Sequence, residues 1–293
     1  VPHRFRSLVK PNPDSGAPPG PDLLRALLSA VSRSFYRTLQ VLPGPVRRPI
    51  GVAYLLARAT DTIADTALVP VEERLAALEI LCRRLAGSRV EPVDFRAFCQ
   101  EATTDTAGTA AERQLLLRVE EAIAVLRSLS PEDQSAVQDV LTIITSGQVL
   151  DLQRFGHASQ EGIVALANAD ELHDYTYRVA GCVGGFWTRM CQRKLFPTST
   201  LDSGALLADG IRFGRGLQLV NILRDIPRDL REGRCYLPAD ELAEAGLRPA
   251  DLLSAENMGR LRPVYTRWLD RADAHLVAGW RYTNGLPFTQ SRL

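Results

Sequence analysis

The chain has 293 residues, enough for one large domain or two small ones, and its 45% apolar and 24% charged residues are spread evenly enough to favour one with a sizeable core. A net charge of +1 offers no long-range attraction to nucleic acid or to an anionic membrane surface. Five cysteines, an odd number with no CxxC spacing and no interleaved histidines, indicate neither a zinc site nor a disulfide framework.

The opening, through the turn-rich Pro11 to Pro21 stretch, reads as an arm over 1–21, followed by one helical domain over 22–293. Recurrent three- and four-residue apolar spacing predicts helices at 22–42, 45–65, 70–85, 110–128, 131–155, 170–195, 203–231 and 256–282, with starts such as Pro70-Val-Glu-Glu and Ser130-Pro-Glu-Asp. No alternating β-branched run of useful length and no solenoid repeat is present. The expected fold is all-α, a single domain around a central cavity. Pro227 falls inside the 203–231 helix, where it removes a backbone bond and clashes with the carbonyl of Leu223 at a typical cost of ~3 kcal/mol. A kink near Asp225 is therefore expected, with Asp225 better placed than Asp229. No apolar run reaches transmembrane length. With no signal peptide and no disulfide pattern, the chain reads as cytoplasmic and reduced. His157, His173 and His275 are unclustered and receive no role.

Two motifs far apart carry the chemistry. Asp61-Thr-Ile-Ala-Asp65 and Asn221-Ile-Leu-Arg-Asp225-Ile-Pro-Arg-Asp229 both repeat oxygen ligands every fourth residue, which on a helix stacks them on one face. Each follows a mostly apolar segment, so both rows project from helices that look largely buried, where carboxylates are rare unless paired or metal-bound. A lone DxxxD is weak, because exposed helices often carry acids at this spacing and Arg58 or Arg228 can simply pair with them. Two facing rows suggest Mg²⁺, which takes one or two carboxylates and completes its octahedron with phosphate and water oxygens. Arg58, one turn ahead of Asp61, fits either an intrahelical ion pair or a diphosphate contact. Arginine far outnumbers lysine, of which only Lys10 and Lys194 occur. That imbalance fits codon bias, bidentate phosphate contacts, or both.

The chain resembles the squalene/phytoene synthases at four segments in family order. These are Ser32-Arg33-Ser34-Phe35, the Tyr54 to Asp65 segment, Tyr175-Thr-Tyr-Arg-Val-Ala-Gly181-Cys-Val183-Gly184, and the Gly216 to Pro238 segment holding Gln218 and the second acidic row. The resemblance implies an isoprenoid-synthase-type helical bundle and head-to-head joining of two prenyl diphosphates. It implies metal ligation by Asp61, Asp65, Asn221, Asp225 and Asp229. Diphosphate and substrate contacts fall to Ser32, Arg33, Ser34, Arg58, Gln218, Val183 and Gly184. Tyr54, Tyr175 and Phe35 would line the path of a carbocation, with Tyr175 able to relay the proton lost as a cyclopropane forms. Aromatics at helical spacing are more often core. Gly181, Gly184 and Gly185, each costing ~1 kcal/mol against alanine in a helix, imply close approach by a neighbouring helix or by a prenyl chain.

The Asp61 context leans toward squalene synthases, so the expected reaction is two farnesyl diphosphates to presqualene diphosphate and, with NADPH, to squalene. Phytoene synthase and presqualene diphosphate synthase are the alternatives, since the Tyr175 and Gly233 segments resemble those as well. NADPH enters by resemblance alone. Remoter alternatives are a non-catalytic assembly factor, which typically loses acidic ligands, and a class I terpene cyclase, which the Tyr175 and Gly233 segments do not fit. Relatives carry a further C-terminal apolar helix that is expected to be missing here. Peripheral membrane association would serve release of an apolar product, no transmembrane anchor is expected, and nothing in the sequence marks an oligomeric state.

Overall fold

The computed structural model describes residues 21–287 except 68, 93 and 100–106, and within helices omits the side chains of 21–23, 33, 34, 97 and 107–109. The arm expected at 1–21 falls outside this range apart from Pro21. In chain order the α-helices are α1 (Pro21–Val31), α2 (Arg33–Val41), α3 (Gly44–Asp65), α4 (Val71–Leu85), α5 (Arg96–Cys99), α6 (Ala107–Leu117), α7 (Val119–Arg127) and α8 (Pro131–Phe155). After strand β1 (Val164–Ala165) follow α9 (Ala169–Thr176), a π-helical turn at Tyr177–Gly181, α10 (Cys182–Leu195) and α11 (Ser203–Arg231). Strand β2 (Arg234–Cys235), α12 (Ala239–Glu244), two short 3₁₀ turns and α13 (Met258–Gly285) complete the described chain.

Local chemistry sets most of these boundaries. Ser130, Asn168 and Asp202 cap α8, α9 and α11 by accepting the backbone N–H three residues on, which satisfies otherwise orphaned donors. Three predicted helices are interrupted. The 22–42 helix breaks at Ser32, whose extended backbone (φ −152°) starts α2 with Ser32 Oγ as its cap. The 110–128 helix breaks at Arg118, and the 170–195 helix widens into the π turn. Pro227 does not stop α11, which runs unbroken to Arg231.

The core has two parts. One gathers α1 to α4, α6 to α8 and α10, and the other gathers the end of α8 with α9, α11 and α13. They meet along α10 and α11, where glycines let the backbones touch: a Cβ on Gly184 would lie 2.0 Å from the Gly210 carbonyl oxygen, and one on Gly214 would lie 2.4 Å from that of Ala180. Helix contact therefore accounts for Gly184.

The strand signal absent from the sequence is real but minimal. β1 and β2 form a parallel pair, Val164 to Arg234 and Ala165 to Cys235. Gly233 makes the approach feasible with φ +83°, where a Cβ would collide with the Ser159 backbone at 2.3 Å. This pairing fixes the Arg234 to Tyr236 segment against the end of α8. No helix among the described residues is long and apolar enough to cross a membrane.

Candidate active site

A cavity of about 760 Å³ opens between α3, α8, α9, α10 and α11, with Tyr54, Arg58, Asp61 and Asp65 on one wall and Asp151, Tyr175, Arg234 and Tyr236 on another. Asp61 and Asp65 reach it because Ala57, Ala64 and their neighbours give α3 one small, half-buried face there, while Leu55, Leu56, Ala59 and Ile63 bury the opposite face. Arg58 donates to Asp61 at 2.6 Å and also to Glu112 of α6. Without a ligand the arginine is thus held as an ion pair. Burial, and then the neighbouring Asp65, push the Asp61 carboxyl up to about 6 despite Arg58. Burial also raises Asp65, against the pull of Arg234 and Arg58.

The facing wall holds a hydrogen-bonded chain. Tyr175 donates to the Tyr236 hydroxyl at 3.4 Å, and Tyr236 donates to Asp151 at 2.9 Å. The two rings stack with centroids 4.8 Å apart. Burial lifts both phenols well above their ordinary range and pushes Asp151 up to about 6, with Arg234 and the Tyr236 bond opposing the rise at Asp151. Arg234 reaches Asp151 at 3.7 Å. Asp151, Tyr236 and Arg234 were given no role from sequence. Asp151 carried a usable signal, as a carboxylate on the same face of α8 as Ile144, Gln148, Leu152 and Phe155.

The other predicted residues distribute unevenly. Tyr54 lines the cavity, and Phe35 stacks on it from outside at 3.9 Å. Ser32 caps α2, and the side chains of Arg33 and Ser34 lie outside the described residues. Gln218 and Val183 border both this cavity and a second, apolar one of about 450 Å³, which Gly184 and Asn221 also line. Neither cavity wall includes Asp225 or Asp229. Asp225 and Asp229 sit in different settings. Asp225 is held by Arg224 through two bonds of 2.7 Å, which pulls its carboxyl below the ordinary range. Because α11 continues through Pro227, Asp229 stays on the helix one turn further, half-buried near Arg234, and burial together with Glu232 pushes it up to about 6. Asp65 senses Arg228 of α11 through space.

Among the described residues no three His, Cys, Asp or Glu side chains converge as a ready-made metal cage. The donors fit Mg²⁺ in another way. Asp61 and Asp65 are adjacent hard oxygen ligands whose mutual repulsion a cation would relieve, leaving its remaining positions for phosphate and water. The only sheet among the described residues is a two-by-two-residue pair, so no Rossmann unit for NADPH is present among them.

The sequence pattern of the squalene/phytoene synthase family matches residues 28–293. A bifunctional lycopene cyclase/phytoene synthase from Pyrenophora tritici-repentis is 30% identical over 84% of this chain, which spans 39% of that protein's length. The presqualene diphosphate synthase of Zymomonas mobilis is 28% identical, with 93% of this chain and 78% of that protein covered. The solved squalene synthase HpnC from Alicyclobacillus acidocaldarius shares the all-α fold, with a TM-score of 0.62 at 21% identity over 92% of this chain and 86% of that one. The chain belongs to the squalene/phytoene synthase family.

Proposed function

We propose that the protein is a transferase that joins two farnesyl diphosphates head to head, giving presqualene diphosphate. One observation carries this reading: the Asp61/Asp65 row and the Tyr175–Tyr236–Asp151 chain face the same cavity. The first group suits a diphosphate, the second a proton. Mg²⁺ held by Asp61 and Asp65, with Asn221, Asp225 and Asp229 contributing from α11, would neutralise charge developing on a departing diphosphate.

The chain's own residues account for the rest. Arg58 is poised to exchange Glu112 or Asp61 for a phosphate oxygen, keeping a charge-assisted bond throughout. Cleavage of the first substrate's C–O bond leaves an allylic cation, which the double bond of the second substrate attacks. Tyr54, Tyr175 and the apolar wall formed by Ile144, Leu152, Val179 and Val183 exclude water from that cation. Closure of the cyclopropane releases one proton. The Tyr175 hydroxyl can take it while handing its own to Tyr236, which in turn protonates Asp151. A carboxyl near 6 is an apt acceptor at neutral pH.

The Asp61-Thr-Ile-Ala-Asp65 context supports continuation to squalene when NADPH is supplied. The test is incubation of the purified protein with farnesyl diphosphate and Mg²⁺, with and without NADPH, followed by product analysis. Presqualene diphosphate in both arms supports the first step alone, and squalene in the NADPH arm supports both steps. Turnover of geranylgeranyl diphosphate in preference to farnesyl diphosphate would replace this reading with phytoene synthesis.

A further inference from the structure

Many surface arginines of this chain are matched to carboxylates, as Arg83 is to Glu79, Arg96 to Asp94, Arg118 to Glu121 and Arg281 to Asp209. One groove breaks that pattern. It encloses about 500 Å³ between α1, α2, α3 and α7, shares no lining residue with the cavity that holds Asp61, and carries Arg25, Arg47 and Arg48 on its wall. Among the described residues none of the three has an ion pair, and no carboxylate lines the groove. Arg47 is fixed by uncharged groups alone: Nε and one Nη donate to the Leu42 carbonyl at 3.2 and 2.6 Å, and that Nη also donates to the Gln40 carbonyl at 3.0 Å. Arg48 donates to Ser128 Oγ at 2.8 Å.

The remaining lining is mostly apolar, with Leu24 beside the buried Leu28, Leu39 and Val125. Val41, next to the Leu42 carbonyl that Arg47 holds, is 56% exposed. Unpaired positive charge thus surrounds an apolar floor. The net charge of +1 conceals this local excess, because acids and arginines cancel elsewhere. Residues 1–20 do not supply the missing counter-charge, since they carry Arg4, Arg6 and Lys10 against Asp14.

We propose that this groove docks the protein on a bilayer by taking one anionic phospholipid, its phosphate against Arg25, Arg47 and Arg48 and its upper chains against Leu24, Leu28 and Val125. The guanidinium fork matches phosphate oxygens. Nucleic acid would answer the charge but leave the apolar floor and Val41 unused, whereas a lipid with a charged head and apolar chains answers both. Docking sets the protein beside the phase into which an apolar prenyl product partitions. That use rests on the condensation reading above, and the lipid contact does not.

Cosedimentation of the full chain with phosphatidylcholine vesicles, with and without phosphatidylglycerol, tests this. The groove variant is Arg25→Gln/Arg48→Gln, which spares the Arg47 brace, and the control is Arg83→Gln/Arg262→Gln, which removes the same charge from α4 and α13. The parent should bind only the vesicles containing phosphatidylglycerol. The groove variant should bind them roughly thirtyfold more weakly, a factor of about five for each arginine, while the control matches the parent and both variants keep its melting temperature. Monomeric dihexanoyl phosphatidylglycerol should bind more tightly than glycerol 3-phosphate, because only the lipid reaches the apolar floor. Equal binding to both vesicle types, equal binding by the two double variants, or equal affinity for the lipid and glycerol phosphate overturns the site. Arg25- and Arg48-dependent binding of a short RNA duplex by a protein that ignores vesicles also overturns it. The expected vesicle pattern in a protein that forms no product from farnesyl diphosphate would refute the condensation reading and leave the docking site standing. Product formation with vesicle binding independent of these arginines would do the reverse.

Discussion

On α3, Asp61 and Asp65 stand one turn apart at the wall of a cavity of about 760 Å³, whereas on α11 Asp225 and Asp229, with the same spacing, border neither described cavity. Burial raises both members of the first pair, helped at Asp61 by Asp65 and at Asp65 by Glu112. Arg224 instead draws Asp225 below its ordinary range at the surface, and Asp229 alone on that row resembles the α3 carboxylates. Equal spacing thus produces two different sites. Helical periodicity decides which oxygens align, and the surrounding packing decides how far they are buried. Each row holds one ion pair, Asp61 with Arg58 and Asp225 with Arg224, but only at Asp61 does burial outweigh the arginine and leave the carboxyl raised.

The largest expected effect tests whether the two rows work together despite that difference. Asp61→Ala and Asp225→Ala should each reduce turnover of farnesyl diphosphate by about 10²–10³-fold, the scale seen when charge stabilisation in a transition state is removed. Their stabilities should stay close to that of the parent. Asp61→Ala relieves repulsion in the metal-free protein and should melt no lower than the parent, and Asp225→Ala loses only an exposed ion pair. Full activity in Asp225→Ala would confine the site to α3.

Next in size is Tyr236→Phe, which keeps the stack on Tyr175 but removes the hydroxyl that bonds Asp151. Interrupting a proton path should lower turnover about 10²-fold and shift the pH–rate profile, with substrate affinity little changed. An unchanged rate and profile would assign the tyrosine pair to packing.

The pH dependence of stability separates the rows more finely. Asp61 sits at about 6 when folded against an ordinary value of 3.8. Between those values the folded protein holds a proton that the unfolded chain has lost, so its contribution is full below about 4 and disappears as pH rises through about 6. Asp151 and Asp229 act with the same sign. Asp225 acts with the opposite sign, because its carboxyl is lowered when folded. In EDTA, Asp61→Asn should flatten the fall in melting temperature between about pH 4 and pH 7 relative to the parent. Asp225→Asn should not, and equal slopes for parent and Asp61→Asn would show that Asp61 is not perturbed by its setting.

Most of the helical framework was legible because amphipathic spacing and caps are local properties, and the predicted 45–65, 131–155 and 203–231 segments match α3, α8 and α11 to within a residue. The break at Ser32 went unread because one extended residue between two apolar runs leaves the periodicity intact. The β1–β2 pair had no pattern to read: two residues cannot alternate, and only the approach of Gly233 to Ser159 creates it. The α3 row was legible as a motif. Asp151 shows in the sequence only as a lone carboxylate on a largely apolar face of α8, and its setting comes from the Tyr236 and Arg234 that tertiary packing places opposite it. At Pro227 a kink rather than a stop is expected, and α11 does not stop there. A missing backbone bond is a local cost, and α11, packed against α10 and α13, continues through it.

The smallest effect concerns the partner that keeps Asp225 occupied. Arg224 is 65% exposed at its side chain and holds Asp225 through two bonds of 2.7 Å. If Asp225 joins the metal site, it has to exchange that guanidinium for a cation, and the exchange offsets part of the binding. Arg224→Gln removes the competitor without touching the cavity wall. Exposed ion pairs contribute little to stability, so its melting temperature should match that of the parent. The Mg²⁺ concentration for half-maximal turnover should fall by about twofold, a size in keeping with a solvent-screened pair. Asp61, whose partner Arg58 also serves Glu112 and lines the cavity, should behave oppositely: if Arg58 contacts the diphosphate as proposed, Arg58→Gln should raise the Mg²⁺ requirement. A parallel response of the two arginine variants would mean that the rows are equivalent after all and that the difference in burial has no functional consequence.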